Sequence, residues 1–174
     1  GDLSMNGYTV NFSGTDSDTN SPIEQEASAK FIKESINNTD GLNEEVEAEA
    51  ENVMNFGKIS NYDASSDKLD LVFQADNQDT EFSAGGTNPN AGGSNGVAVT
   101  LEQEIKAGDE DGYLVGALNN AFNSNPGNNL IDGLQASVNE NDELVVTADD
   151  GRNIRATVSD QTSNGTSNSQ FLSN

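Results

Sequence analysis

The chain has 174 residues, enough for one ordinary domain or two small ones of about 80–90 each, and only 32% of them are hydrophobic, with no Trp, so any core is built from Val, Ile, Leu, Ala and a few Phe. Thirty Asp and Glu against seven Lys and Arg give a formal net charge of −23, which leaves the chain unable to neutralise phosphates and excludes nucleic acid and anionic membranes as partners. With no Cys and no His there is no disulfide framework, Cys/His zinc site, Ser-His-Asp triad or imidazole acid–base chemistry.

Low hydrophobic content is the mark of disordered chains, but here the apolar residues are periodic. No stretch approaches the ~18–20 apolar residues of a membrane span, and nothing resembles a signal peptide. The opening "GDLSMNGYTV" reads as a strand in the making, as in a piece cut from something longer.

Tyr8, Val10 and Phe12 alternate with Thr9 and Asn11, the pattern of a half-buried strand. After polar "SGTDSDTNS", the run "SPIEQEASAKFIKESINN" predicts a helix with Ser21 as cap, Pro22 in the first turn and Glu24 closing a capping box. Ile23, Ala27, Phe31, Ile32 and Ile36 lie along one flank, Glu26 and Lys30 form an i,i+4 pair, and Gly41 marks the exit. Val46, Ala48 and Ala50 then alternate with Glu47, Glu49 and Glu51, predicting a strand with an acidic outer face. Residues 55–67 read as irregular. Leu69, Leu71 and Phe73 predict another strand, and Phe82 with Ala84 a further edge.

"GGTNPNAGGSNG" is the clearest linker, and beyond it the order recurs. Val97, Val99 and Leu101 stand for the first strand. "GDEDGYLVGALNNAF" stands for the helix, with acidic residues at its start and a stripe of Leu114, Ala117, Leu118, Ala121 and Phe122. Leu134, Ala136 and Val138 match Val46, Ala48 and Ala50; Leu144 and Val146 match Leu69 and Leu71; Ile154, Ala156 and Val158 supply the last strand. "SINN" (residues 35–38) and "ALNN" (117–120) sit at the same junction, and the tight turn "NEND" replaces the insertion of the first half. The expected fold is α+β: two small duplicated modules, each one helix packed on a short, mainly antiparallel sheet. Residues 1–85 form the first module, 86–96 a Gly-rich linker, 97–160 the second module, and 161–174 a polar tail in which Phe171 and Leu172 supply a terminal strand near the N-terminus.

"ALNN" followed by "GLQASVNENDELVVTADDGRNI" resembles the flagellin IN motif: a helix ending in an Ala-Ile-Asn-like triplet, a strand of "gVtAsv" type, a turn, and a strand running into "dGrni". The opening "GDLSMNGYTVNF" resembles the strand that leads into such units. The likeness spans about two-thirds of the chain. It is closer in the second half; in the first, "SINN" and "VEAEA" fit but "DNQDTEF" stands where "dGrni" belongs. The motif belongs to the outer, variable region of bacterial flagellins and to related cap and hook-associated proteins. The resemblance implies a surface-exposed, non-catalytic module of the extracellular flagellar filament, placed between polymerising helical ends. Neighbouring flagellin subunits would be engaged through segments outside this sequence, and glycans or cell surfaces are the further partners it implies. The lack of Cys suits export unfolded through a narrow channel. No long heptad helix is present, so the isolated chain is expected to be a monomer.

Competing readings are weaker. "DSDTN" (Asp16, Asp18, Asn20) opens like an EF-hand loop, but Ser21 stands where Gly is needed and Ala27 where a bidentate Glu belongs. "GDEDG" and "ADDG" read as a helix cap and a turn. A glycosidase needs two carboxylates, but the row Glu47, Glu49, Glu51 lies on a solvent face without the burial that raises a pKa. No catalytic, cofactor-binding or metal-ligating residue is expected. Asn11, Asn37 and Asn164 fit the N-glycosylation pattern. The alternative in a different class is a non-enzymatic module of a secreted adhesin or surface-layer protein, with calcium as its ligand.

Overall fold

The structure is a computed structural model, and it describes residues 3–10, 12, 28–63, 69–74, 97–124, 131–160 and 172–173. The chain opens with a hairpin of β1 (Leu3–Met5) and β2 (Tyr8–Val10) in the register Leu3↔Val10. Its two-residue turn is Asn6-Gly7, with φ of 50° and 85°, the paired positive values that match strand twist in a tight hairpin. Val10 is fully buried.

Helix α1 spans Ala29–Asn37. Its cap is Ser28, whose Oγ accepts the Phe31 N–H at 3.0 Å. The expected start at Ser21, with Pro22, Ile23, Glu24, Glu26 and Ala27, lies outside the described residues. The helix as described begins seven residues later, because Ser28 is extended and takes the N-terminal N–H for itself. Gly41, with φ of 81°, turns the chain into a 3-10 turn at Leu42–Glu44. The Tyr8 ring closes over this glycine: a Cβ there would stand 2.7 Å from Tyr8 Cε1. Val10, Phe31 and Leu42 are buried, with the Phe12 and Phe31 rings 6.1 Å apart, and they stand apart from the main core.

Residues 46–51 keep the expected alternation, with Glu47, Glu49 and Glu51 exposed, but they form no strand. The strand comes next, where irregular chain was expected: β3, Asn52–Ile59. Its period is hidden by a bulge. Gly57 (φ 86°) donates its N–H to Asn55 Oδ1 at 2.7 Å, the register slips between Asn55 and Gly57, and the inward set passes from Met54 and Phe56 to Gly57 and Ile59.

The other strands are β4 (Tyr62–Asp63), β5 (Leu69–Gln74), β6 (Val97–Leu101), β7 (Glu104–Ile105), β8 (Leu134–Val138), β9 (Glu143–Ala148), β10 (Arg155–Asp160) and β11 (Leu172–Ser173), with helix α2 at Tyr113–Asn123. Two antiparallel sheets, ordered β10-β5-β6 and β11-β3-β9-β8, enclose one core, with small pairs β1-β2 and β4-β7 beside them. Leu69, Leu71, Phe73 and Leu101 come from one sheet; Leu134, Leu144, Val146 and Ala148 from the other; Leu114, Leu118 and Phe122 from α2, which packs against β8 and β6. Phe73 meets Phe122 edge-on at 5.1 Å and Phe56 at 5.7 Å.

The fold is α+β with short antiparallel sheets, as expected. Strand pairing crosses the division between residues 1–85 and 97–160: β3 lies beside β9, and β5 lies between β6 and β10. The terminal strand at Leu172 pairs with β3, opposite Ile59. Phe82, Ala84, the 86–96 segment and Phe171 lie outside the described residues.

Candidate functional site

The shared "NN" junctions acquire a geometry. Asn119, near the end of α2, donates from Nδ2 to the Ala136 carbonyl at 2.9 Å and accepts the Ala136 N–H on Oδ1 at 2.8 Å. The pairing 139↔143 is hydrogen-bonded (Asn139 N–H to the Glu143 carbonyl, 3.0 Å), so Ser137 and Gln135 also face β9 and Ala136 faces the open edge. The amide thus satisfies the outward peptide groups of Ala136, at the middle of a strand that is an edge among the described residues. Asn37, at the end of α1, does the same to Ala48: Nδ2 to the carbonyl at 2.9 Å, N–H to Oδ1 at 2.7 Å. Both clasps fall on residues that the sequence alignment of the two halves had matched.

The turn after β9 is the second junction. Asp150 receives Arg152 Nε on both oxygens (2.9 and 3.0 Å) and lies 3.1 Å from Lys30 Nζ of α1, while Lys33 Nζ donates to the Asp150 carbonyl at 3.2 Å. Burial pushes the Asp150 carboxyl up, but Arg152 and Lys30 more than offset it and hold the pKa at about 2. Gly151, with φ of 82°, carries the backbone into α1: its carbonyl accepts the Lys30 N–H at 3.1 Å, and a Cβ there would stand 2.6 Å from Ala50 Cβ. In the "NEND" turn, Asn139 Oδ1 accepts the N–H groups of Asn141 (2.9 Å) and Glu143 (3.1 Å). Hydrogen bonds from Asn139 and Asn55 hold the Glu143 carboxyl below its ordinary range.

"GDEDG" is a helix cap. Asp109 is buried, and its oxygens accept the N–H groups of Leu114 (2.8 Å) and Val115 (2.9 Å), two of the donors that a helix start leaves open. Asp111 pairs with Lys106 at 3.0 Å, which raises the lysine's pKa and lowers the aspartate's. Asp16, Asp18 and Asn20 lie outside the described residues. Among the described residues no group of three or more acidic side chains could hold a metal ion, and no helix is long and apolar enough to cross a membrane. Of the three glycosylation sequons, Asn11 and Asn164 lie outside the described residues. Asn37 has its amide engaged at Ala48, so a glycan on Nδ2 would break the clasp. The paired Asn residues were visible in the sequence; their bonding to Ala48 and Ala136 was not.

Beside α1 runs an open groove of about 690 Å3, lined by Lys33, Asn37, Asp149 and residues 47–51. A smaller hollow adjoins it, with Ala29, Ile32, Lys33 and Ile36 on its helix side. Ile32 is 40% exposed.

No protein-family model, no curated protein and no solved structure matches the chain.

Proposed function

We propose that the chain is an outer, surface-exposed part of a bacterial flagellin, a structural module of motility that projects from the filament and sets its surface properties. The observation that carries the reading is the repeated clasp. In each half the first Asn of the "NN" phrase, the last residue of α1 and four residues before the end of α2, grips the backbone of an Ala in the extended segment that follows. A scaffold role accounts for the residues of the flagellin-like phrase without any chemistry: Asn119 seals an edge, Asn139 shapes a turn, and Asp150 and Arg152 fasten α1. The same repetition supports a duplicated origin for the two halves. Under this reading the protein is extracellular and works without catalysis or cofactor. It meets neighbouring flagellin subunits through segments outside this sequence, and presents a strongly anionic skin to glycans and cell surfaces.

Immunogold electron microscopy of the source cells, with antibody raised against this chain, tests the proposal. Gold along the whole length of the flagella is the expected result. Gold at filament tips alone would assign the chain to a cap protein. Label over the envelope with bare filaments would overturn the reading in favour of an adhesin or surface-layer module.

A further inference from the structure

We propose that residues 46–51 are a seat for an extended, Lys- or Arg-bearing segment of another polypeptide, which adds to them as a strand. The two clasps make the comparison internal to the chain. Asn119 holds one edge of Ala136, and through the other edge Gln135 and Ser137 pair with Thr147 and Val145 of β9. Asn37 holds one edge of Ala48 in the same way, but among the described residues no strand lies on the other. No backbone hydrogen bond from the described residues reaches the N–H or carbonyl of Glu47 or Glu49. The segment is extended, held in place at its middle and at Val46 (N–H to the Leu42 carbonyl, 3.0 Å), and, among the described residues, unpaired along one side. That is the template strand addition requires.

The side chains define the occupant. Glu47, Glu49 and Glu51 are exposed at every second position, spaced about 6.8 Å apart in extended chain, the spacing of alternate side chains on an incoming strand. A second copy of this chain, at −23, would bring the same acidic row and be repelled. Basic side chains at alternate positions are complementary. The intervening side chains of the incoming strand must be small and uncharged, because the hollow beside Ala48 and Ala50 is walled by Ala29, Ile32 and Ile36 together with Lys33, whose ammonium is held at the Asp150 carbonyl. The proposal does not depend on the filament reading, since it rests on the open edge, the groove and the charge row alone.

The test is a titration of the 15N-labelled full chain with an end-blocked peptide of alternating Lys and Val, beside two versions of it, one N-methylated at every Lys and the other at every Val. Saturable shifts centred on residues 46–51, Ile32 and Ile36 are expected, lost with the one methylated peptide whose blocked N–H groups lie on the edge that carries the ladder bonds. Glu47→Gln/Glu49→Gln/Glu51→Gln should weaken binding about tenfold or more, as should raising the salt to ~0.5 M. All three positions are exposed, and an unchanged spectrum elsewhere verifies the fold; Ile32→Ser, also exposed, should weaken binding with every charge kept. No binding, equal binding of the methylated peptides, shifts spread over the acidic surface, or unchanged affinity in both variants would each overturn the proposal.

Discussion

Asn119 and Ala136 are joined by two hydrogen bonds, 2.9 and 2.8 Å long, through which a side chain of helix α2 occupies the middle of the outer edge of β8. One side chain replaces the backbone of a missing neighbour. The amide suits the task because it carries a donor and an acceptor on one planar group.

Asn119→Ala leaves the Ala136 N–H and carbonyl without that partner, so a loss of about 1–2 kcal/mol is expected in urea unfolding. Asn119→Asp restores the acceptor but turns a carboxylate toward the Ala136 carbonyl, and should recover little. Asn37→Ala should cost less, because Ala48 belongs to no sheet and water can replace the amide. A change under about 0.3 kcal/mol for Asn119→Ala would remove the clasp from the account of stability.

Asp150 gives stability a pH dependence of known sign. Its folded pKa, about 2, lies below the ordinary 3.8, so the contribution is fully present above the unfolded value and is lost as pH falls from there toward 2. The carboxylate is partly exposed, so about 1 kcal/mol is expected after solvent screening. Acid also relieves the self-repulsion of the other carboxylates. The quantity to measure is therefore the difference between wild type and Asp150→Asn, which should shrink across that window; a constant difference would refute the role.

Asp109→Ala removes the acceptor for two N–H groups at the start of α2. A loss of about 1–2 kcal/mol is expected. Hydrogen exchange should show early opening of the first turn of α2, while the β1-β2 hairpin stays as protected as in wild type. Uniform protection across α2 in the variant would contradict the cap.

Phe31→Ala and Phe122→Ala each delete a side chain that is at most 2% exposed. About 3 kcal/mol or more is expected for each, from lost burial plus the cavity left behind. Phe122 should be the costlier, because it sits in the main core edge-on to Phe73 while Phe31 belongs to the small cluster with Val10 and Leu42. Equal losses, measured by urea unfolding, would mean that the two clusters are one.

Local pattern was enough for several elements. The stripe Leu114, Leu118, Phe122 settles α2, since a 3.6-residue period admits one buried face. The alternation across "NEND" settles the β8-β9 hairpin, and Leu69, Leu71, Phe73 settle β5. Asn6-Gly7 carried a hairpin signal as plain as any, just ahead of the alternation at Tyr8, Val10 and Phe12. β3 was illegible because its bulge at Gly57 shifts the inward residues by one, so the sequence shows no steady alternation there.

The segments around Ala48 and Ala136 mark the limit. Each follows a helix whose last turns carry Asn-Asn, each alternates apolar with polar, and each Ala is held by the same amide. Only one is a strand. Sequence by itself determined that both would be extended with one face turned inward, because side-chain period and burial are properties of the chain segment. Which of them would be paired, and that β3 and β5 would join strands from the other half, was decided by the tertiary structure. Pairing is a relation between two backbones, and the identity of the second backbone is written nowhere in the first.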